Sequence, residues 1–427
     1  MGISRANGIG VFLAVAVGCG SVENKNAGID ARTADPDDAA VGVDGTAALC
    51  TADTALRCEG ATLVSCNDTG TAEVAAPCTL RCDATALRCE NKVHPSNGFT
   101  TQLDAATGQP ALVITQSLFF STTTDFNATT GTITVGGQQV KAALVPGSNG
   151  APDVVVLSVG SLNIPAGVKL TPVGDRPAAI MSAGDVTIAG SIEAIGGLAV
   201  TSEPCFGGSS GGTGADNDVP GGGGGGFGQA GAGGGTIVGI GAGKSGGSAT
   251  GTATLIPLRG GCSGGTDALG SAGRGGGAVQ ITSATAIHVS GAIGANGAGG
   301  VVSSGGGSGG AILLEAPTVE LTGGLFANGG GGGCGGFSAG ANGSNSTTPA
   351  LGANCGGNPG TASGGNGGAG TVAPTSGSST TNRVGSVDRA GGGGGAIGRI
   401  RVNTLDMTIA GGGSQSPAAS VGRVRGR

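Results

Sequence analysis

Apolar residues alternate with small or polar residues in several short stretches of this chain. The pattern is clearest in AAIMSAGDVTIAGSIEAIGG (178–197), AVQITSATAIHVSGAIGANGAGG (278–300) and AILLEAPTVELTGGLFANGGGGG (311–333). A period of two residues is typical of β-strands that bury one face. Each stretch therefore predicts three short strands separated by small turn residues, and no helical stripe of period 3.6 extends far.

The three stretches share the motif G-x-[Ile/Leu]-x-A-x-G. Its members are Gly190, Ile192, Ala194 and Gly196, then Gly291, Ile293, Ala295 and Gly297, then Gly323, Leu325, Ala327 and Gly329. A degenerate copy lies at 396–413, and an additional one at 161–174. One unit cannot close a core alone, but stacked units bury their apolar residues in ladders. The sequence predicts an all-β fold, a right-handed parallel β-helix-like solenoid over residues 93–427.

Long glycine-rich inserts separate these units, at about 198–277 and 329–395. The 427 residues include 98 glycines, no Trp and no Tyr. Two hypotheses stay open for the inserts. Their backbones form extended, polyproline-II-like segments that hydrogen-bond to one another, or they are unordered surface loops.

Four cysteines favour at least partial order in the inserts. Cys205 and Cys262 lie in the first insert, and Cys334 and Cys355 lie in the second. The simplest pairing is one disulfide per insert. Closing loops of these lengths contributes roughly 3–4 kcal/mol each in the chain-entropy model.

A second set of cysteines lies in residues 48–92. Its members are Cys50, Cys58, Cys66, Cys78, Cys82 and Cys89. A segment of this size cannot bury a sufficient core, so the pattern predicts a small disulfide-rich module. Six cysteines allow 15 pairings, and the spacing does not select one. We interpret the module as a rigid spacer rather than a recognition module, since it has no aromatic cluster or charge patch.

The N-terminus predicts export. Arg5 precedes a short apolar run that ends at Val17, which is too short to cross a bilayer. The small residues before Cys19 resemble a bacterial lipobox, which predicts a signal peptide at 1–18 and a lipid on Cys19. Ala16 departs from the usual Leu, and an ordinary cut after Ala16 is the alternative. The residue after Cys19 is not Asp, which favours the outer membrane, and residues 19–47 predict a disordered acidic tether.

No catalytic, cofactor or metal site is predicted. The stretch GAGKS at 241–245 lacks the first Gly of a phosphate-binding loop, because residue 238 is Val. Asp216 and Asp218 approach a calcium-binding nonapeptide, but only one copy occurs. His288 alternates with apolar neighbours and is expected to point outward from its strand.

Four carboxylates lie within the repeat units. They are Asp185, Glu193, Glu315 and Glu320. We expect all four to lie on a solvated outer face. A carbohydrate-active enzyme would need such acids to converge on one face. Sugar sites often add aromatic platforms as well, and because the chain has no Trp and no Tyr, only its nine Phe could form them.

Four stretches carry a resemblance to a known family. They are RPAAIMSAGDVTIAGSIEAIGG, GGGSGGAILLEAPTVELTGGLFANGGGGG, GGGGGAIGRIRVN and LVSCNDTGTAEVAAPC. They resemble glycine-rich secreted proteins and lipoproteins of myxobacteria and related bacteria. The resemblance covers most of the chain. It implies an exported setting and a repeat architecture, and it implies no activity.

These observations predict a non-enzymatic cell-surface lipoprotein with a structural or adhesive role. Its expected partners are the membrane, through the lipid, and extracellular matrix, polysaccharide or a neighbouring cell surface. A net charge of −6 makes nucleic acid an unfavourable partner. Two alternatives stay open: a secreted protein without a lipid, and a β-helix polysaccharide lyase or hydrolase.

Overall fold

The computed structural model describes residues 48–122, 131–147, 151–196, 218–266, 270–357, 359–383 and 387–427. Residues 49–427 form one compact unit. Cys19, Cys205, the signal peptide and the tether lie outside the described residues. Strands dominate the described part of the chain, which contains one α-helix.

The strands are short and follow one another closely along the chain. The first elements are β1 (Ala55–Glu59), β2 (Thr62–Cys66), β3 (Glu73–Pro77), β4 (Arg81–Asp83), β5 (Arg88–Glu90), β6 (Val93–His94) and α1 (Thr100–Ala106). Next come β7 (Ala111–Val113), β8 (Leu118–Ser121), β9 (Thr132–Val135), β10 (Gln138–Val145), β11 (Val154–Val159), β12 (Ser161–Ile164), β13 (Lys169–Gly174), β14 (Ala178–Ser182), β15 (Val186–Ile188), β16 (Ser191–Glu193) and β17 (Ile195–Gly196). The last are β18 (Ile237–Val238), β19 (Ala278–Ser283), β20 (Ala286–Val289), β21 (Ala292–Gly294), β22 (Ala311–Glu315), β23 (Thr318–Leu321), β24 (Gly324–Phe326), β25 (Thr380–Thr381), β26 (Arg399–Thr404), β27 (Ser414–Ser416), β28 (Ser420–Arg423) and β29 (Arg425–Gly426).

Three larger sheets carry most of these strands. The main sheet has the order β28-β26-β22-β19-β14-β11-β10-β9, and the second sheet has the order β23-β20-β15-β12-β7. The third sheet has the order β17-β13-β16-β21-β24-β27, with β8 also paired to β13. Neighbours are parallel in the second and third sheets, whereas β9, β10 and β11 pair antiparallel within the main sheet. Small sheets join β1-β2-β3, β4-β5, β6-β29 and β18-β25.

The prediction of a right-handed parallel β-helix-like solenoid is wrong. Parallel ladders are mixed with antiparallel ones, and the described strands form no single closed solenoid. One cause is the hairpin between β9 and β10, where Gly136 and Gly137 have φ values of 59° and 81° and reverse the chain. An alternating pattern specifies which face of a strand is buried, but it does not specify the direction of the neighbouring strand.

The alignment of the repeat stretches is nevertheless reproduced in the strand register. In the third sheet, Ile192 lies opposite Ile293, which lies opposite Leu325. The main sheet continues the same principle with the ladder Leu157, Ile180, Ile281, Leu314 and Val402. These side chains form one buried core between the sheets. Ladders of this kind stabilise by removing apolar surface from water, at about 25 cal/mol per Å².

The opposite face of the main sheet is also covered. Val156, Met181 and Leu313 pack there with Phe99 and Leu103, which lie at and within helix α1. The central strands β11, β14, β19 and β22 are therefore buried on both faces, and a polar residue on either face of them needs hydrogen-bond partners within the protein.

The cysteine-rich segment is stapled as predicted. Its disulfides join Cys50 to Cys66, Cys58 to Cys82 and Cys78 to Cys89. Such a density of disulfides indicates an exported protein, because the cytosol keeps thiols reduced. No helix in the described ranges is long and apolar enough to cross a membrane.

The glycine-rich inserts pack as a hydrogen-bonded bundle. We call this the glycine bundle; it comprises residues 220–235, 243–248, 261–265, 273–277, 295–310, 327–333, 340–343, 350–354, 362–369, 375–378 and 390–398. Of the two hypotheses for the inserts, ordered packing is the one that the described residues show. Their order comes from backbone groups rather than from side chains.

Segment 390–398 shows how the bundle is bonded. Its N–H groups donate to the carbonyls of three neighbouring segments. The first neighbour accepts from Ala390, Gly393 and Ala396, through Val219, Gly222 and Gly225 respectively. The second accepts from Gly391 and Gly394, through Ser378 and Thr375, and the third accepts from Gly392, Gly395 and Gly398, through Gly333, Gly330 and Ala327. Every third N–H group thus reaches the same neighbour. A polyproline II helix has three residues per turn, so its backbone directs hydrogen bonds at three neighbours in succession. The segment is bonded on three sides.

A disulfide closes part of the second insert. Cys334 and Cys355 are bonded across a sequence separation of 21 and are both buried, together with Ala353. In the first insert, Cys262 is also disulfide-bonded.

Replacing both Cys334 and Cys355 by alanine is expected to lower the free energy of unfolding by roughly 3 kcal/mol. The reason is that the unfolded chain regains the freedom of the open loop. Urea unfolding measures the difference. The opened loop should also be cut faster by proteases between 336 and 349. The matched control removes Cys50 and Cys66 instead, which should leave the rate of this cleavage unchanged. An unchanged midpoint for the Cys334/Cys355 double variant would contradict the expectation.

The C-terminal residues pair with strand β6 and bond to helix α1. Strand β29 pairs antiparallel with β6, and the Arg427 guanidinium bonds the Asp104 carboxylate. This bond, more than the nearby charges of Arg427 and Lys92, holds the pKa of Asp104 below its ordinary value.

The Asp104 ion pair predicts a pH dependence. Because the folded pKa is lowered, the stabilisation is complete above the unfolded pKa of about 4 and is lost as pH falls through the folded value. Asp104→Asn should therefore cost about 0.5 kcal/mol at pH 7, discounted for exposure, and less near pH 2. Urea unfolding at both pH values measures the difference. Asp68→Asn is the control, since Asp68 is exposed and has no ion pair among the described residues. Equal costs at the two pH values would contradict the assignment.

Candidate functional site

Three of the four repeat-unit carboxylates lie at or near the surface, each with its own partner. Glu320 bonds His288 at 2.9 Å, so His288 points outward as predicted. Asp185 accepts a hydrogen bond from Thr285 at 2.6 Å, and Glu193 pairs with Lys169 at 2.8 Å. These groups lie on separate segments of the chain, and the structure does not bring them together into a paired acid site.

The two ligand-binding motifs considered from the sequence, at GAGKS and at Asp216 and Asp218, are not supported as ligand sites by the described residues. The end of the GAGKS stretch lies in the glycine bundle, where the Lys244 N–H donates to the carbonyl of Gly221, and no helix follows it in the described part of the chain. Asp218 is buried and accepts a hydrogen bond from the N–H of Asp388, while Asp216 lies outside the described residues. Within the described ranges, no group of three His, Cys, Asp or Glu side chains is placed to hold a metal ion.

Glu315 is not on a solvated face, and the prediction for it is wrong. Its side chain is fully buried on the covered face of the main sheet, between Thr282 and Asn403 in register. Gln280 donates to its carboxyl group at 2.7 Å, Asn403 at 3.0 Å and Thr282 at 3.2 Å. The backbone N–H and hydroxyl of Ser96 complete the set. All of these partners are donors, which satisfies the acceptor oxygens of a carboxylate.

The Glu315 network fixes the chain that links the cysteine-rich segment to the sheets. Ser96 lies 219 residues from Glu315 in sequence. The next residue, Asn97, donates to Gln280 and to the carbonyl of Leu255, both at 3.0 Å. The network therefore joins three distant parts of the chain across one sheet face. Its role is positional, since its polar atoms are occupied by one another.

A mixed cavity of about 350 Å³ adjoins this network. Its lining includes Ser96, Asn97, Phe99, Pro146, Pro257 and Arg259. The two polar residues of the network that line it already have partners within the protein. The remaining wall is largely apolar and offers little directional chemistry.

A larger cavity, of about 470 Å³, lies beside the third sheet and the glycine bundle. Its polar lining consists of Glu193, Asn296, Asn342, Ser344 and Asn345. We call it the asparagine cavity. A volume in this range suits a small ligand or a few residues of a polymer.

One glycine makes room for the asparagine cavity. Gly294 lies in register with Glu193 on one side and Phe326 on the other. A Cβ atom at Gly294 would lie 2.5 Å from Oδ1 of Asn345 and 3.1 Å from Nδ2 of Asn296. The missing side chain lets Asn345 approach the sheet, so that Asn296 donates to Asn345 at 2.8 Å.

Hydrogen bonds from Asn328 and Gly299 hold the wall of the asparagine cavity in place. Asn328 donates to the carbonyls of Ser344 and Ser346, both at 2.7 Å, and its own N–H donates to Asn296 at 2.9 Å. The carbonyl oxygen of the Asn342 side chain accepts a hydrogen bond from Gly299 at 2.9 Å. The wall is therefore fixed by Asn328 and Gly299, which are not among the residues that line the cavity.

These contacts leave specific groups available. The Nδ2 amides of Asn342 and Asn345 donate to no other described residue, and the hydroxyl of Ser344 bonds only its neighbour Ser346. One oxygen of Glu193 remains beyond its pair with Lys169. The described lining has no aromatic side chain, so it can bind by hydrogen bonding but not by ring stacking.

Sequence reasoning missed the asparagine cavity. Asn296 and Asn328 follow equivalent positions of the repeat motif, in GANG and FANG, and this repetition was the available signal. Asn342 and Asn345 lie in a glycine-rich insert where no pattern singles them out. Comparisons with protein-family models, curated proteins and solved structures find no match to this chain.

Proposed function

We propose that this chain is a structural or adhesive module displayed at a cell surface and held there by a lipid on Cys19. Residues 19–47 would then tether the folded part above the membrane. The disulfides support the exported setting, and the small residues before Cys19 support the anchor. The resemblance to glycine-rich secreted proteins and lipoproteins of myxobacteria and related bacteria supports the same setting.

The glycine bundle is the observation that carries this proposal. A segment bonded to three neighbours exposes few backbone groups to water or to proteases, which need an extended, accessible substrate. The bundle is also nearly free of charge. Such a unit is suited to display loops on a rigid support rather than to change shape.

The loops of the second insert display apolar side chains. Phe337 is 65% exposed, Leu351 67% and Val372 49%. The Arg389 guanidinium lies over the Phe337 ring, 4.8 Å from its centre. Exposed apolar side chains on a rigid support are candidates for contact with another surface.

Cells that display the chain should attach to a matrix-coated surface or to neighbouring cells more than cells without it. Phe337→Ser combined with Leu351→Ser should reduce attachment about a hundredfold, because each of the two large apolar contacts contributes about 1.5 kcal/mol or more. Phe119→Ser is the matched control, since Phe119 is 75% exposed but lies on β8. Equal attachment of cells with and without the protein would overturn the adhesive role.

The anchor is tested separately by palmitate labelling in a Gram-negative host. The wild type should incorporate the label and gain a lipid-sized mass, and Cys19→Ala should do neither. Absence of label from the wild type would refute the anchor and leave a secreted protein.

A further inference from the structure

We infer that the asparagine cavity binds a neutral saccharide by hydrogen bonds to the hydroxyl groups of that saccharide. The inference deepens the proposed function by naming the class of ligand, and it rests on that function for its setting. The asparagine cavity is the described site where fixed polar groups converge on open space.

The available groups match the chemistry of sugar hydroxyls. A hydroxyl both donates and accepts, so it pairs equally well with an amide N–H and with a carboxylate oxygen. Asn342 and Asn345 supply the amide donors, Ser344 supplies a hydroxyl, and Glu193 supplies an acceptor. An apolar ligand would leave these groups without partners, which is costly when they are buried.

Charge argues for a neutral ligand. Glu193 is already paired with Lys169 at 2.8 Å, so this ion pair contributes little net charge to the cavity. An acidic saccharide would meet the free oxygen of Glu193 without an added cation in the described lining. A cationic ligand would have to compete with Lys169 for the same carboxylate.

The wall is preorganised, which favours binding by few contacts. Asn328 holds the loop that carries Ser344, and Gly299 fixes Asn342. Because these side chains are ordered before the ligand arrives, binding does not have to immobilise them.

The test uses the oxidised full-length protein and three neutral probes: maltohexaose, cellohexaose and chitohexaose. Isothermal titration calorimetry should show binding of at least one probe. Asn342→Ala and Asn345→Ala should each weaken that binding at least about fivefold, which is the effect of one hydrogen bond. Gly294→Ala should weaken it as well, because the added methyl displaces Asn345.

The control is Asn163→Ala, since Asn163 is exposed on β12, outside the asparagine cavity. It should bind as the wild type does. Thermal unfolding of each variant separates loss of binding from loss of fold. Glu193→Gln is a nearly isosteric variant that changes the acceptor side chain of the cavity with little change of shape. No binding of any probe at millimolar concentration would overturn the inference. Binding that the cavity variants leave unchanged would also overturn it.

The outcomes separate the two proposals. Attachment that depends on Phe337 and Leu351 without saccharide binding would refute the cavity inference alone. Saccharide binding that depends on Asn342 and Asn345 without any cell attachment would refute the adhesive role and keep the inference.

Discussion

Replacing Gly393 by valine should lower the free energy of unfolding by more than about 3 kcal/mol, the upper end of ordinary overpacking costs. A Cβ atom at this position would lie under 3.0 Å from the carbonyls of Ala232 and Gly233. Both obstacles are backbone atoms, which cannot move to another rotamer. Gly393 also donates to Gly222 and accepts from Gly306, so its displacement breaks bonds to two further segments.

Gly412→Val is the matched control for this substitution. A Cβ atom at Gly412 meets no atom within 4 Å, and its backbone is not in the left-handed region. Circular dichroism during urea or thermal unfolding compares both variants with the wild type. The Gly412 variant should change stability by less than about 0.5 kcal/mol, as surface substitutions do. Similar midpoints for the two variants would contradict the close packing of the glycine bundle.

Replacing Glu315 by alanine should destabilise the protein by about 3–5 kcal/mol. The substitution removes the acceptor of Gln280, Thr282, Asn403 and Ser96, and each buried donor left without a partner costs about 1–3 kcal/mol, in part recovered by rearrangement. Release of Ser96 should also free the segment before helix α1, which faster proteolysis after residue 90 would report.

Glu320→Ala provides the comparison on β23, the next strand along the chain. Glu320 is half exposed and bonds only His288, so its loss should cost less than about 1 kcal/mol. Should Glu315→Ala prove as mild as Glu320→Ala, the buried network would not anchor the chain. Unfolding free energies from urea titration decide between the two outcomes.

The repeat motif predicted much of the apolar core. Ile192, Ile293 and Leu325 were aligned by their spacing from the motif glycines, and they lie opposite one another in the third sheet. This succeeded because the side-chain period of a strand is two, so that a single buried face fixes the register. The pairing of Cys334 with Cys355 was predicted on a different basis, since both cysteines lie in the same insert.

The environment of Glu315 could not be predicted from its own segment. Glu315 and Glu320 occupy similar alternating patterns, yet one is buried and the other is half exposed. The difference comes from Ser96, which covers Glu315 from a position 219 residues earlier. No local pattern records which strand face a distant segment will cover.

The order of the glycine-rich inserts was also open for a physical reason. Gly393 and its neighbours have no side chains, so they carry no hydrophobic pattern. Their partners are chosen by backbone geometry in three directions, and many glycine segments satisfy that geometry equally well. The direction of the strands in the main sheet was also ambiguous, because the chain reversal at Gly136 and Gly137 lies outside the repeat and its pattern.

The glycine bundle also affects how stability changes with temperature. Unfolding it would expose mainly peptide groups, and polar surface lowers the heat capacity of unfolding whereas apolar surface raises it. The bundle therefore contributes a small heat-capacity increment per residue. Hydrophobic cores weaken on cooling, but a unit held by backbone hydrogen bonds does not depend on that term. The bundle should therefore flatten the stability curve of the folded unit to which it belongs, and it should retain its order in the cold.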